Sequence, residues 1–436
     1  MHPFALLFII ALTGATVLQL WLAHRHGRHV LAHRDCVPDD FKGRISLGAH
    51  QKAADYTLAN LRFGRWNMIF GAFMTLVWTL GGGLTLLDTR WRMLDPTSEW
   101  LGVAVILSLV FIAGLLELPF ELWRTFRIES RFGFNRTTPS LFFTDKIKSI
   151  ALALVLGVPL LWVILALMNG AGTYWWLYVW VVWMGFSLLL IWAWPVLIAP
   201  LFNKFTPLED ASLKERIEGL LTRCGFTSKG VFVMDGSRRS AHGNAYFTGF
   251  GANKRIVFFD TLLESLNPPQ VEAVLAHELG HFKLRHIRAR LVVTVVITLL
   301  SLALLGWLSH QGWFYSALGV SNPSAHAALL LFMLAGPPFA LVLSPLMSAF
   351  SRKHEFEADA YAAKQADAED LVGALVKLYE DNAGTLTPDP LYSAFYDSHP
   401  PAPIRIAHLR RLRIHACGRR RTSAARAPGQ KADRPA

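Results

Sequence analysis

The chain has 436 residues, of which 53% are hydrophobic and only 17% charged, with a mean hydropathy of +0.34 and a formal net charge of +12. Soluble domains carry roughly one quarter charged residues, so this composition excludes an ordinary soluble globular protein. The apolar residues are gathered into blocks with the basic residues between them, so the positive charge is not read as a nucleic-acid-binding surface.

In chain order, charge-poor stretches long enough to span a bilayer fall at about 4–23, 66–87, 100–123, 149–168, 174–202, 291–309 and 326–350. The first is too long for a signal-peptide core, and its basic residues follow it, so it is expected to be retained as a helix. The third carries Glu117 and Glu121 towards its end. The seventh contains Gly336, Pro337, Pro338 and Pro345 and is expected to be kinked or broken. The first and third connections are rich in Lys and Arg, from Arg25 to Arg65 and from Arg124 to Lys146, whereas the fourth and sixth have none. That alternation predicts an N-terminus outside and a C-terminus in the cytoplasm. Cys36, Cys224 and Cys417 all fall in predicted cytoplasmic segments, form no C-x-x-C pair and are expected to be free thiols.

The long connection between spans five and six reads as a small folded unit. Leu213–Cys224 has an amphipathic helical pattern. Gly230–Asp235, Asn244–Gly249 and Lys254–Asp260 read as strands, the last two joined as a hairpin around Gly251. Asn267 followed by Pro268 is a helix-start signal. Into that helix falls His277-Glu278-Leu279-Gly280-His281. Residues four apart share a helical face, so both imidazoles can reach one metal ion, while Glu278 can reach a water bound to it. The predicted topology puts this site on the cytoplasmic side, close to the membrane surface.

Two histidines and a water leave zinc one protein ligand short. Just past span seven, Glu355, Glu357 and Asp359 compete. Glu355 and Asp359 are four apart on one face, while Glu357 points about 160° away from Glu355. The longer Glu355 as ligand, with Asp359 orienting a ligand histidine, is the economical assignment. The expected organisation is a membrane region with five helices (1–202), an α+β catalytic element (203–290), spans six and seven (291–350), C-terminal catalytic helices (351–415) and a disordered basic tail (416–436). The fold class is thus mainly α and polytopic.

These residues resemble a known family. Ser240, His242 and Asn244 to Phe247, the H-E-L-G-H segment, Ser351-Arg352-Lys353 with Glu355 and Asp359, and His399-Pro400-Pro401 look like the type I CAAX prenyl endopeptidases. So do Lys52 to Tyr56, Glu129 to Asn135 and Pro200 to Leu208. The resemblance covers about residues 40–415. It implies one zinc per chain held by His277, His281 and Glu355, with Glu278 as catalytic base and Asp359 as an orienting or proton-donating acid. It implies that Asn244 and Ala245 lie on an edge strand that pairs with the substrate backbone. His399 and Arg405 match a histidine and an arginine placed over the substrate, where donors can stabilise an oxyanion. Where the family often continues His-Pro-Pro towards Glu-Arg, this chain has Ile404-Arg405. The resemblance further implies seven helices enclosing a chamber and a peptide or protein substrate of the kind that can be prenylated or membrane-associated; with the charge read as topological, the expected partner is the bilayer, with no nucleic acid. A membrane quality-control protease and, more remotely, a non-catalytic zinc-containing transporter or scaffold are the alternatives. The membrane would be the inner or plasma membrane of a bacterium or the endoplasmic reticulum of a eukaryote.

Other residues have plainer readings. His24, His26, His29 and His33 lie in a basic juxtamembrane stretch and are not expected to bind metal. His286, five residues beyond His281, falls on another helical face and is read as interfacial.

Overall fold

The computed structural model describes residues 2–95, 100–228, 230–248 and 255–424. Helix α1 (Pro3–Ala32) begins with proline at its first position, and α2 (Leu47–Trp78) is capped by Ser46, whose hydroxyl accepts from Ala49 N at 3.1 Å. The second apolar block is not one straight span. At Gly81, Gly82 and Gly83 the chain turns, Gly82 adopting φ 74°, and α3 (Gly83–Leu94) leaves at 49° to α2. Only glycine takes that left-handed conformation freely, so the glycine run breaks the span.

Helix α4 (Leu101–Trp123) runs through a π turn at Arg124–Glu129; α5 (Pro139–Gly170) follows, and α6 (Trp175–Ala193) passes through a second π turn into α7 (Ala199–Phe202). Among the described residues, six helical segments are long and apolar enough to cross a membrane, and the bent pair α2 and α3, taken as one span, makes a seventh.

After α7 the chain leaves the apolar bundle. Strand β1 (Phe205–Pro207), α8 (Ala211–Arg223), β2 (Val231–Met234), β3 (Ala245–Thr248) and β4 (Arg255–Phe259) follow. The sheet has order β1-β2-β4-β3, with β2 and β4 parallel and the outer pairs antiparallel. β3 is therefore an edge strand. The turn expected around Gly251 lies outside the described residues, while β3 and β4 pair antiparallel from Ala245–Phe258 to Thr248–Arg255, the register a hairpin requires.

A short α9 (Asp260–Ser265) leads into α10 (Pro268–Lys283), where Asn267 and Gln270 form a reciprocal capping box. Helices α11 (His286–Leu308), α12 (Gly312–Ala317), α13 (Ala325–Ala340) and α14 (Ser344–Gln365) follow. The proline-bearing span is broken, as its sequence predicts, by a 3₁₀ turn at Leu341–Leu343 between α13 and α14. Helices α15 (Ala368–Asp381), α16 (Pro390–Tyr396) and α17 (Ala402–Ala424) complete the chain. α17 runs past residue 416, where the sequence predicts a disordered tail; residues 425–436 of that tail lie outside the described residues.

Two cores result. One, among the membrane helices, contains Phe8, Leu84, Val105, Leu305, Phe314 and Leu331. The other joins the sheet to α8, α10, α15 and α17 through Ile217, Phe258, Leu275, Leu279, Val372 and Ile406. The most apolar stretches of the membrane helices are only 11–28% buried, so their outer faces are left to lipid.

Candidate active site

The site is built where α10 crosses α14. His277 and His281 lie one helical turn apart, with their Nε2 atoms 3.2 Å from each other. Across the crossing, Glu355 Oε2 is 3.4 Å from His277 Nε2 and Oε1 is 3.3 Å from His281 Nε2. Ligands about 2.0–2.1 Å from a tetrahedral zinc lie roughly 3.3–3.4 Å apart, so the three donors have the spacing that such an ion requires. Glu355 is 1% exposed, and its Oε2 has no well-oriented hydrogen bond. A buried carboxylate oxygen left that way is stabilised by a cation. The residues fit a metal.

Around this trio the other predicted residues take different positions. Asp359 sits behind His277, its Oδ1 2.9 Å from Nδ1, which leaves Nε2 facing the metal position. Arg405 is buried and spends two donors on Asp359, Nε to Oδ2 at 2.9 Å and Nη2 to Oδ1 at 2.5 Å. Its Nη1 is 4.0 Å from Glu355 Oε2. Thus Arg405 chiefly holds Asp359, where the resemblance leads one to expect a group over the substrate. His399 places Nδ1 2.8 Å from Glu355 Oε2, a contact that 44 residues of separation do not suggest. Glu357 points away from the trio and contacts His286.

Glu278 lines two cavities, one bordered also by His277 and one by His281 and Glu355. Burial, reinforced by the nearby Glu355 charge, raises its carboxyl above the ordinary carboxylate value, although His277 opposes this. Burial, and then His277, lower His281 to about 3, so its ring is neutral and free to ligate. For His277 burial acts downward, but the hydrogen bonds to Asp359 and Glu355 prevail and raise it.

A cavity of about 830 Å³ opens onto His277 and Glu278 and is bordered by Asn244, Ala245, His399 and Arg405. Its wall also includes residues whose part was not evident from the sequence. His26 is buried, accepts a hydrogen bond from Asp389 N at 3.1 Å and stacks on Tyr392 at 4.1 Å. Tyr56 donates to Glu129 Oε1 at 2.8 Å, and His242 lies 3.7 Å from the other oxygen of Glu129 while contacting Asn382. These residues come from α1, α2, the π turn after α4, the loop before β3, the end of α15 and α16, so only the tertiary fold brings them together.

Comparison with known proteins agrees with this construction. Residues 26–204 match the family description "CAAX prenyl protease N-terminal, five membrane helices", and residues 207–413 match "Peptidase family M48". The CAAX prenyl protease 1 homolog of Arabidopsis thaliana is 40% identical over 315 residues, covering 71% of this chain and 73% of that protein. The human homolog is 32% identical over 92% of this chain and 96% of its own length. The crystal structure of S. mikatae Ste24p superposes with a TM-score of 0.86 at 32% identity, covering 94% of this chain and 99% of that one. Neither a non-catalytic scaffold nor a separate quality-control protease is favoured by these matches. With a His–His–Glu trio spaced to hold a metal ion and an acid beside it on a polytopic helical frame, the chain belongs to peptidase family M48, as a multi-pass membrane metalloendopeptidase of the CAAX prenyl protease type.

Proposed function

We propose that this protein is a zinc endopeptidase that removes C-terminal residues following a prenylated cysteine, at the cytoplasmic face of its membrane. The observation that carries the reading is the cavity that joins Glu278 and His277 to the edge strand β3. An edge strand offers unpaired backbone groups to an extended peptide. Ala245 opens β3 and Asn244 immediately precedes it, and both border the cavity at His277 and Glu278, so a substrate strand added there would run past the trio. The names of the relatives supply the prenylated class of substrate.

The chemistry follows from the residues. His277, His281 and Glu355 would hold a zinc ion, which when bound would supply the Lewis acid that makes water nucleophilic near neutral pH. Glu278 takes a proton from the attacking water and passes it to the leaving amine as the C–N bond breaks. His399, with a 62% exposed side chain at the cavity wall, donates a hydrogen bond to the oxygen that gains charge. Arg405 and Asp359 hold the His277 ring in place and keep its Nδ1 hydrogen-bonded. The Lys/Arg alternation of the connections supports a cytoplasmic site.

The test is cleavage of a farnesylated C-terminal peptide against the same peptide unmodified. Release of the terminal residues from the farnesylated peptide at a much higher kcat/KM is expected. Equal turnover of both would contradict the assigned substrate class.

A further inference from the structure

His286 stands apart from the catalytic scheme, yet it touches one of its members. Its Nδ1 lies 3.1 Å from His281 Nδ1, and its Nε2 lies 2.9 Å from Glu357 Oε2. On a continuous helix, five residues would rotate His286 about 140° away from His281. The helix does not continue. α10 ends at Lys283, Arg285 adopts φ 61°, and α11 begins at His286. That left-handed step, disfavoured for any residue but glycine and rarely Asn or Asp, swings His286 back against His281. The His286 ring is 3% exposed and stacks on His354 with centroids 4.1 Å apart and planes 11° apart.

The hydrogen positions follow from the metal. If His281 gives Nε2 to zinc, that atom is bare and Nδ1 carries the hydrogen. His286 Nδ1 must then accept it, so His286 Nε2 carries a hydrogen and donates to Glu357. We infer that Glu357 and His286 form a positioning relay that fixes the tautomer and plane of the ligand His281 and so slows release of the zinc. The inference rests on reading His277, His281 and Glu355 as the zinc ligands. It also makes the two ligand histidines alike: His277 is backed by Asp359 and Arg405, and His281 by His286 and Glu357.

His286, His354 and Glu357 have donor atoms close enough for a second cation. The stacking argues against it. Parallel rings direct their in-plane nitrogen lone pairs side by side, whereas two imidazoles on one ion must converge on it.

The experiment follows zinc transfer from purified full-length protein to a chromogenic chelator, together with the visible spectrum of the cobalt-substituted protein. His286→Phe keeps the ring and its stack but removes the acceptor. It should speed zinc release about 10–100-fold, as loss of such outer partners commonly does, and shift the cobalt bands. His286→Asn loses the ring but retains an oxygen acceptor and should recover most of the wild-type rate. Glu357→Ala, at a half-exposed site, should act in the same direction and add nothing in the His286→Phe background. The relay is overturned if His286→Asn releases zinc faster than His286→Phe, or if Glu357→Ala alone leaves release unchanged. A second zinc per chain that is lost in His354→Phe also overturns it. Should neither His286 variant fold, Glu357→Ala decides alone. A wild-type protein that binds no zinc would overturn the ligand assignment itself, and the relay with it.

Discussion

Gly280 and Ala358 pack so closely that a methyl group on Gly280 would lie 3.1 Å from the Ala358 Cα and 3.2 Å from its carbonyl oxygen. This approach lets the Glu355 carboxylate reach two histidines on the neighbouring helix. The glycine of the H-E-L-G-H segment thus sets the spacing of the metal ligands.

Gly280→Ala should therefore weaken the site although alanine favours helices. The helix gain is about 1 kcal/mol, whereas overpacking against a backbone that cannot rotate aside costs about 1–3 kcal/mol. The expected result is a lower thermal midpoint and faster zinc release. A more stable protein with unchanged zinc release would show that α10 and α14 have room to spare.

Glu355→Ala should abolish stoichiometric zinc binding, while Glu357→Ala should leave one zinc per chain, bound less tightly. Glu355 is buried with an oxygen lacking a proper partner, and Glu357 faces His286. Metal analysis after dialysis distinguishes them, and the reverse order would exchange the two roles.

Zinc affinity should rise with pH through the range in which His277 loses its proton. In the metal-free fold the His277 value is raised above its ordinary 6.5, because its hydrogen bonds to Asp359 and Glu355 outweigh burial. Its proton therefore stabilises the metal-free fold below about 6.5, and that contribution is lost as pH rises through the raised value. Zinc displaces the same proton, so below it the binding constant should fall about tenfold per pH unit. His281, lowered to about 3, adds nothing near neutrality. Competition titrations between pH 5.5 and 8.5 measure the slope, and a flat profile would contradict the proton exchange.

Much of this arrangement was legible in the sequence because helical periodicity is local. The spacing of His277 and His281, the start of α10 at Asn267 and Pro268, and the apolar blocks are all set within a few turns of chain. The shared face of Glu355 and Asp359 is local too, and in space both lie against His277 while Glu357 meets His286. What escaped depends on breaks and on distant partners. Three consecutive glycines bend the second span, and a non-glycine left-handed residue, Arg285, returns His286 to the site; a periodic reading treats both places as continuous helix. The contacts of Arg405 with Asp359, and of His26 with Asp389, join segments far apart in the chain, so no local pattern records them.

His399→Ala should lower kcat by about 10²–10³, the cost of removing a fixed donor to a developing oxyanion, while retaining one zinc per chain. Because Nδ1 lies 2.8 Å from Glu355 Oε2, zinc release is the necessary control. If kcat falls only in proportion to zinc lost, His399 supports the ligand and not the oxyanion.

The most direct test of the account is the turnover of Glu278→Gln at full zinc occupancy. The amide matches the carboxylate in shape but cannot take the proton, and Glu278 borders both the cavity at His277 and the one at His281 and Glu355. One zinc per chain, an unchanged fold and a loss of peptide cleavage of about 10²–10⁴ are predicted. Wild-type cleavage by the zinc-loaded variant would contradict the mechanism.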